Sequence, residues 1–592
     1  MPDNEILKLQ KEIERLKKSI KRQKYGLVWM NIPEAFEDEV ENKLPILKEN
    51  PKYSINNPDE KPVHLLIEGD NYHTLSCLNY THKNKVDIIY IDPPYNTGSD
   101  GFKYHDKRIQ EKFPDGTEVP LDHPFRHSYW LSFIQKRLEL SKNLLKDSGV
   151  IFISIDINEL AQLKLLCDET FGESNLVSLI SVKVKDPAGV GQQSFVFDVC
   201  EYVLMYCKDR TVFKNKYVEL PMDYEEITDF YGSYTKQILD FGKPSFVKKI
   251  KRQNVGEIEI YSCKNAKVGS VKKLKFKEYI KNRDKIFADY NPNGGMILAI
   301  KDQIPQEGLS YLKYIPTKGR NAGQEVKTYF LNGRIISWLG TVTEFNEGKL
   351  LKRTKMINFW NIPNASLYLE GGVDFTNGKK PLKLIKKLLG MFKDTELVID
   401  FFAGSGTTGQ AVLELNEEDK GKRQFILATN NEGNILSNVC FPRLKNVMDG
   451  HKNEKGLGNS LKSYKTNFVG KNSILTASDS DKVVLAHNAG ELLAIAENTL
   501  DLVKQNKFYQ LFVDKQKMKN TAIYFREELD KFDEFLEVVE KLKNPTAVYV
   551  FSWGENEFSD DFDHLSTVNV KTIPLPILEI YKNIYNLGGY DV

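Results

Sequence analysis

The stretch VDIIYIDPPYNTG, Val86 to Gly98, constrains the fold of this chain more than any other. Val86–Ile91 is a short, β-branched and nearly continuous apolar run, the pattern of a strand buried on both faces of a parallel sheet. Pro93 and Pro94 in succession forbid both helix and ladder, so the chain must leave the sheet at Asp92. The sequence therefore sets a carboxylate, two stiff residues and an aromatic ring, Tyr95, at the carboxyl end of a buried strand.

A second stretch, DFFAGSGTTGQAV from Asp400 to Val412, ends another apolar run and opens a helix through a glycine-rich turn. Gly404 and Gly406 let backbone approach a ligand closely, and the free N–H groups where the helix starts, at Thr407, favour an anionic group. A phosphate loop is excluded, because Gln410 and Ala411 stand where Lys and Ser/Thr belong. Gly404 to Gly409 fits the dinucleotide pattern GxGxxG, a weak signal alone, and the acid that should follow roughly 20 residues on comes late, at Glu432. The third reading takes the acid and the ring together, as Asp400-x-Phe402-x-Gly404-x-Gly406.

Between and around these stretches the chain alternates. From about residue 61, HLLIEGD reads as a strand, NYHTLSCLNY as a helix, VDIIYIDPPY as a strand, YWLSFIQKRLELSKNLLKD as a helix and GVIFISID as a strand, with the glycine of DSGV as the helix stop. EYVLMYCK reads as a further strand. The rhythm breaks over 211–329, rich in Lys, Tyr, Phe and Gly, which reads as an inserted domain. It resumes with a helix at KKPLKLIKKLLGMF, the strand ELVIDFFAGSG, the helix TTGQAVLELN, the strand RQFILATNNEG and a helix near NVCFPRLKNVMDG. A polar stretch around 450–480 precedes strands at NTAIYFREEL, PTAVYVFSWG and STVNVKTI. The expected architecture is an open, mostly parallel α/β sheet divided over 61–210 and 330–455, with an insertion at 211–329 and an α/β C-terminal domain at 456–592. Residues 1–60 supply a helix, with Ile6, Leu9, Ile13, Leu16 and Ile20 in an a/d stripe, and a proline-rich connector.

Composition narrows the setting. No apolar run approaches the ~20 residues that span a bilayer, and the start MPDNEILKLQ lacks a signal-peptide core, so a cytoplasmic protein with no membrane partner is expected. The six cysteines are scattered without CxxC pairs, which fits reduced thiols and no metal site. Net charge is only +2, but its distribution is uneven. Lys243–Lys285 holds 14 Lys/Arg against 4 Asp/Glu, whereas Arg526–Asp563 holds 12 Asp/Glu against 4 Lys/Arg. The first suits a polyanion, the second does not.

The two motifs together resemble the amino-group DNA methyltransferases that use S-adenosyl-L-methionine, in the permuted order of the β group, with DPPY first and FxGxG roughly 300 residues later. QKYGLVWMN at 23–31, FRHSYWLSFIQKRLELSKNLLKDSGVIFISID at 125–156, GRIISWLG at 333–340 and TNNEGNI at 429–435 extend the resemblance to the modification subunit of type III restriction–modification systems. It implies a Rossmann-like methyltransferase sheet and methylation of the N6 amino group of a flipped adenine in double-stranded DNA. It also implies S-adenosyl-L-methionine as cofactor, a restriction helicase–nuclease subunit as partner, and a homodimer.

The resemblance assigns Asp92, Pro93, Pro94 and Tyr95 to catalysis. Adenine N6 is a poor nucleophile because its lone pair is conjugated with the ring. Asp92 and the Pro93 carbonyl supply acceptors for its two hydrogens, and Tyr95 a face on which the extruded base stacks. Asp70 resembles the acid that reaches the cofactor adenine, or is a helix N-cap. Lys380 and Pro381 begin the helix that borders the methionine tail. Asp400 would contact the cofactor's amino group and Phe402 its adenosine side, with Gly404, Gly406 and Thr407 forming the loop. Asn430 and Glu432 both stand where a ribose-gripping acid is expected. His127 and Ser128 match the FRHS segment, with His127 read as a satisfied loop histidine. Within the insertion, Lys248, Lys249, Lys251, Arg252, Lys272, Lys273, Lys275 and Lys277 would neutralise DNA phosphates.

Overall fold

The computed structural model describes residues 27, 29–30, 44–97, 106–113, 116–120, 123–185, 195–217, 222–252, 256–292, 295–317, 322–346, 348–363, 367–375, 378–452, 454–472, 474–554 and 558–587. The heptad stretch at 5–24 lies outside these residues, as does most of 23–31. The chain forms two compact units, one of 1–218 with 358–592 and one of 219–357.

The first unit is built on a ten-stranded sheet. Its strands are β1 (Leu44–Glu49), β2 (Val63–Glu68), β3 (Val86–Ile91), β4 (Leu145–Ile155), β5 (Leu176–Lys183), β6 (Cys200–Cys207), β7 (Phe359–Asn361), β8 (Leu397–Asp400), β9 (Gln424–Thr429) and β10 (Ser460–Val469). They lie in the order β1-β10-β2-β9-β8-β3-β4-β6-β5-β7. The run from β10 to β4 is parallel throughout. β6 is antiparallel to both β4 and β5, and β1 is antiparallel to β10. Every residue of β3 is buried, as its nearly continuous apolar run requires, with Asp87 paired to Lys146. Helices α1 (Asn71–Thr81), α2 (Ser128–Leu144), α3 (Leu160–Phe171), α4 (Leu382–Leu389), α5 (Thr407–Asp419) and α6 (Phe441–Asp449) belong to the same unit.

Two segments read as polar connectors are strands. Residues 450–480 contain β10, and the proline-rich connector contains β1. β1 buries Leu44–Leu47 in succession, and β10 buries Leu461 and Tyr464 while Lys462 and Lys465 pair with Glu49 and Glu68. The helix before β4 also ends earlier than its pattern suggests, at Leu144. Gly149 is therefore no helix stop. It lies inside β4, where a Cβ would come within 2.9 Å of the Lys146 and Val86 carbonyls, beside a register shift against β3.

The C-terminal region adds a five-stranded sheet, Asp501–Gln505, Tyr509–Val513, Asn520–Tyr524, Thr546–Phe551 and Val568–Ile573. One side of it shares the first sheet's core: Leu493, Ile523, Ile577, Leu578 and Tyr581 belong to one buried cluster with Leu44, Leu75 and Leu78 of the ten-stranded sheet and α1. The other side has its own cluster, with Tyr509, Tyr524, Phe535 and Val548. The Tyr581 hydroxyl donates to the Pro45 carbonyl at 2.8 Å.

The second unit holds an eight-stranded sheet whose neighbours are all antiparallel, and a three-stranded one. Its boundary falls later than the pattern at 329 suggests. GRIISWLG supplies the strand Arg334–Trp338 to the eight-stranded sheet, and Lys349–Lys355 pairs with Met222–Ile227. The alternation that marks these strands is as regular as that of a core strand, so periodicity could not separate the two units.

Candidate active site

Four neighbouring parallel strands, β2, β9, β8 and β3, bring their carboxyl ends to one sheet edge, where open α/β sheets bind ligands. Gly69, Asp70 and Asn71 follow β2, Asn430 follows β9, Phe401, Phe402 and Gly404 follow β8, and Asp92 and Pro94 follow β3. All of these line one cleft, together with Arg108, Phe133, Phe375, Gly378, Thr429, Glu432 and Ile435. β8 pairs directly with β3, Val398 opposite Ile88 and Ile399 opposite Ile89, so the two motifs meet in space although the second unit separates them in sequence.

Asp92 sits in a compact polar cluster at the end of β3. The Tyr95 hydroxyl donates to Asp92 Oδ1 at 2.8 Å. Lys380 Nζ lies 3.4 Å from the same oxygen, donates to the Tyr95 hydroxyl at 2.5 Å, and pairs with Glu201 Oε2 at 2.5 Å. Burial pushes Asp92 up to about 6, against the opposing pull of Lys380. Burial works against the Lys380 ammonium, but Asp92 and Glu201 outweigh it and hold the group above the ordinary lysine range. Burial and the two carboxylates keep the Tyr95 phenol protonated. The turn itself is braced by Trp130, whose indole donates to the Pro94 carbonyl at 2.7 Å, and by Asp106, which accepts from the Tyr95 backbone at 3.1 Å and the Thr97 hydroxyl at 2.8 Å.

The rest of the cleft fits a cofactor that carries an aromatic base, a ribose and a cationic amino-acid tail. Phe402 stands edge-on to Phe133, ring centroids 5.9 Å apart, and Phe375 and Ile435 add apolar wall. Asp70 and Glu432 supply carboxylates and Asn430 an amide. Asp70 is also the N-cap of α1, accepting from the Tyr72 backbone at 2.7 Å, and faces the buried Arg137 at 3.3 Å. Gly404 and Gly406 both have positive φ, 49° and 78°. At Gly406 a Cβ would also come within 3.1 Å of Cys440 Sγ.

Five residues assigned to the cofactor, Lys380, Pro381, Asp400, Gly406 and Thr407, do not line this cleft. Asp400 is 2 % exposed and turned into its own loop, accepting from the Phe402 backbone at 2.9 Å and the Thr408 hydroxyl at 2.5 Å. Burial pushes it up to about 7. Thr407 faces Arg443, which donates to its hydroxyl at 2.6 Å, to Ser405 at 3.1 Å and to Gln410 at 2.7 Å. Lys380 points at Asp92 and not along the cleft, while Pro381 is the N-cap of α4. An acid or a lysine in a motif announces that it is needed, but not which side of its loop it serves. His127 is satisfied, hydrogen-bonded to Glu159 at 2.8 Å.

Glu201, Arg443 and Phe133 are site residues the sequence did not single out. Glu201 follows Cys200 at the start of β6, beside an otherwise apolar run, and a charge placed there was the available signal. In the second unit the basic residues divide. Lys248, Lys249, Lys251 and Arg252 lie on Lys243–Arg252, one edge of the eight-stranded sheet, whereas Lys272, Lys273, Lys275 and Lys277 follow Lys267–Ser270, the opposite edge. Seven strand spacings separate them, on the order of 30 Å. Lys249 is paired with Glu257 at 2.6 Å, and Arg252 donates to the Ala299 carbonyl at 2.6 Å.

The DNA methylase family model matches residues 86–436. The "Probable type III restriction-modification enzyme HindVI Mod subunit" of Haemophilus influenzae is 29% identical over 490 residues, covering 76% of this chain and 62% of that protein. The type III restriction-modification enzyme EcoPI Mod subunit of Escherichia phage P1 is 30% identical over 454 residues, covering 70% and 64%. The type II methyltransferase M.KpnI of Klebsiella pneumoniae is 30% identical over 393 residues, covering 63% and 82%. The chain thus spans less than two thirds of the length of these two type III relatives.

Proposed function

Because the chain belongs to the DNA methylase family, we propose that it transfers a methyl group from S-adenosyl-L-methionine to the N6 amino group of an adenine turned out of double-stranded DNA. The observation that carries this reading is the pairing of β3 with β8, which sets the Asp92 carboxylate at the mouth of the cleft walled by Phe402 and Gly404. Bound there, the cofactor supplies a methyl group on a sulfonium and leaves as a neutral thioether.

The chain's own residues do the rest. Asp92 and the Pro93 carbonyl accept from the two amino hydrogens, drawing the nitrogen lone pair out of conjugation and toward the methyl carbon. The nitrogen gains the methyl and gives up one proton to solvent. The Tyr95 ring stacks on the base, its hydroxyl exchanging the Asp92, Lys380 and Glu201 contacts for that face. Phe402 and Phe375 grip the cofactor's apolar side, and Asn430 and Glu432 the ribose. Rigid placement of nucleophile and electrophile supplies most of the acceleration.

The relatives' names support a modification subunit that works with a restriction subunit, as part of a type III system. The match to a type II methyltransferase over 82% of that protein supports a second reading, an enzyme that methylates without a partner. Labelled methyl transfer to DNA of varied sequence, with modified bases mapped, tests the activity. Label on adenine N6 at one short site, lost in Asp92→Ala, is expected; label on cytosine, or on no DNA at all, overturns it. Co-purification of a helicase–nuclease from the source cells separates the two readings.

A further inference from the structure

Lys380 stands where the resemblance places a border for the methionine tail, yet its ammonium is spent on the catalytic turn. It touches Asp92 at 3.4 Å, the Tyr95 hydroxyl at 2.5 Å and Glu201 at 2.5 Å, and lies 4.5 Å from the centre of the Tyr95 ring. Its side chain is 11 % exposed. Glu201 comes from β6, on the far side of β4 from β3, so the lysine is held between two elements that do not touch.

We propose that Lys380 and Glu201 are positioning residues for methyl transfer: Glu201 fixes the ammonium, and the ammonium keeps Asp92 a carboxylate aimed at the target amino group. This rests on the activity proposed above. The need for it follows from the neighbourhood. Asp92 is largely buried at a sheet edge and faces Glu201 from β6, Asp400 from the end of β8 and the Tyr90 phenol of β3, with Asp156 beyond β4 close to Glu201 and Lys380. Each of these carboxylates favours protonation of the others, and a protonated Asp92 would offer the adenine amine a donor where it needs an acceptor. Lys380 is the cation in contact with Asp92, and it opposes that tendency. When Tyr95 swings away to meet the base, Lys380 remains beside the carboxylate, held by Glu201.

The arrangement makes two separable demands on experiment. In single-turnover methyl transfer across pH, the wild type should lose rate as pH falls through about 6, where Asp92 takes up a proton. Lys380→Met should move that acid limb up by about one to three pH units, the shift typical of losing an opposite charge. Lys380→Arg should restore the limb, whereas Glu201→Gln, which loosens the ammonium but also removes a carboxylate that favours protonation of Asp92, should lower the plateau rate without raising the limb. Calorimetric titration with S-adenosylmethionine should show each variant binding the cofactor within about threefold of wild type, since the lysine does not line the cleft. The second demand needs no substrate. Lys380→Met strands Asp92 and Glu201 without their cation, so adding Asp92→Asn should recover part of the lost melting temperature, whereas Asp92→Asn alone should not raise it. An unmoved acid limb, loss of cofactor binding in Lys380→Met, or melting temperatures that simply add would overturn the proposal. If the wild type transfers no methyl to DNA, the activity reading fails alone, and the melting cycle still decides whether Lys380 serves Asp92.

Discussion

Tyr95 has two tasks that exclude each other in time. Its hydroxyl caps Asp92 at 2.8 Å, and in the proposed reaction its ring is the flat face offered to an extruded base. Tyr95→Phe removes only the first, so methyl transfer should fall by no more than a few-fold. Tyr95→Ala removes the stacking face, worth about 1–3 kcal/mol, so kcat/KM should drop roughly 10- to 100-fold. A steady-state comparison of the two variants on a short duplex reads the difference. Asp92 and Tyr95 could be named from the sequence because two prolines leave the chain few other places to go. Their counter-charges could not. Glu201 lies 106 residues from Tyr95, and no local pattern ties a glutamate on one strand to a lysine before a distant helix.

The loop after β8 shows the same division at the level of elements. Its conformation was readable: the glycines demand positive φ, and both have it. What holds it was not, because the support comes from α6. Arg443, fully buried, donates to Ser405, Thr407 and Gln410 and faces Glu370 at 3.6 Å. Burial lowers its guanidinium to about 10, so it stays charged at neutral pH. Arg443→Met should cost about 3–5 kcal/mol, the range for removing one partner of a buried ion pair, and should weaken cofactor binding although Arg443 lines no part of the cleft. Thermal unfolding and calorimetry check the two halves of that statement. Strands were recovered where apolar runs are long, as in β3, and missed where the apolar run is short and interrupted by proline or lysine, as in β1 and β10. Amphipathic strands need a known partner before their alternation means anything.

Across the whole molecule, both motifs and the entire cleft belong to the first unit. Replacing 219–357 with a flexible Gly/Ser linker should therefore leave cofactor affinity intact and abolish tight DNA binding; calorimetry and a salt titration of duplex affinity, whose slope falls with each lost phosphate contact, report these separately. The C-terminal layer is fastened by Glu497, which accepts from Lys519 at 2.6 Å, Lys571 at 2.5 Å and the Tyr549 hydroxyl at 2.8 Å. Burial opposes its charge, but these donors hold it down at about 2. A carboxylate depressed in the folded state stabilises above its ordinary value of 4.5, and that support is lost as pH falls toward 2. Glu497→Gln should cost about 1.5–3 kcal/mol at neutral pH, and the gap in melting temperature from wild type should close over that acid window. The place of β8 has a consequence for synthesis. β3 leaves the ribosome about 300 residues before the strand that must lie beside it, a wait of roughly 15–60 s at ordinary translation rates. Through that interval the edge of β3 that will receive β8 stays open, apolar and ready to pair with any passing strand. The two halves of the site thus meet only after Leu397–Asp400 has been made, and until then that edge of β3 is the one most exposed to wrong pairing.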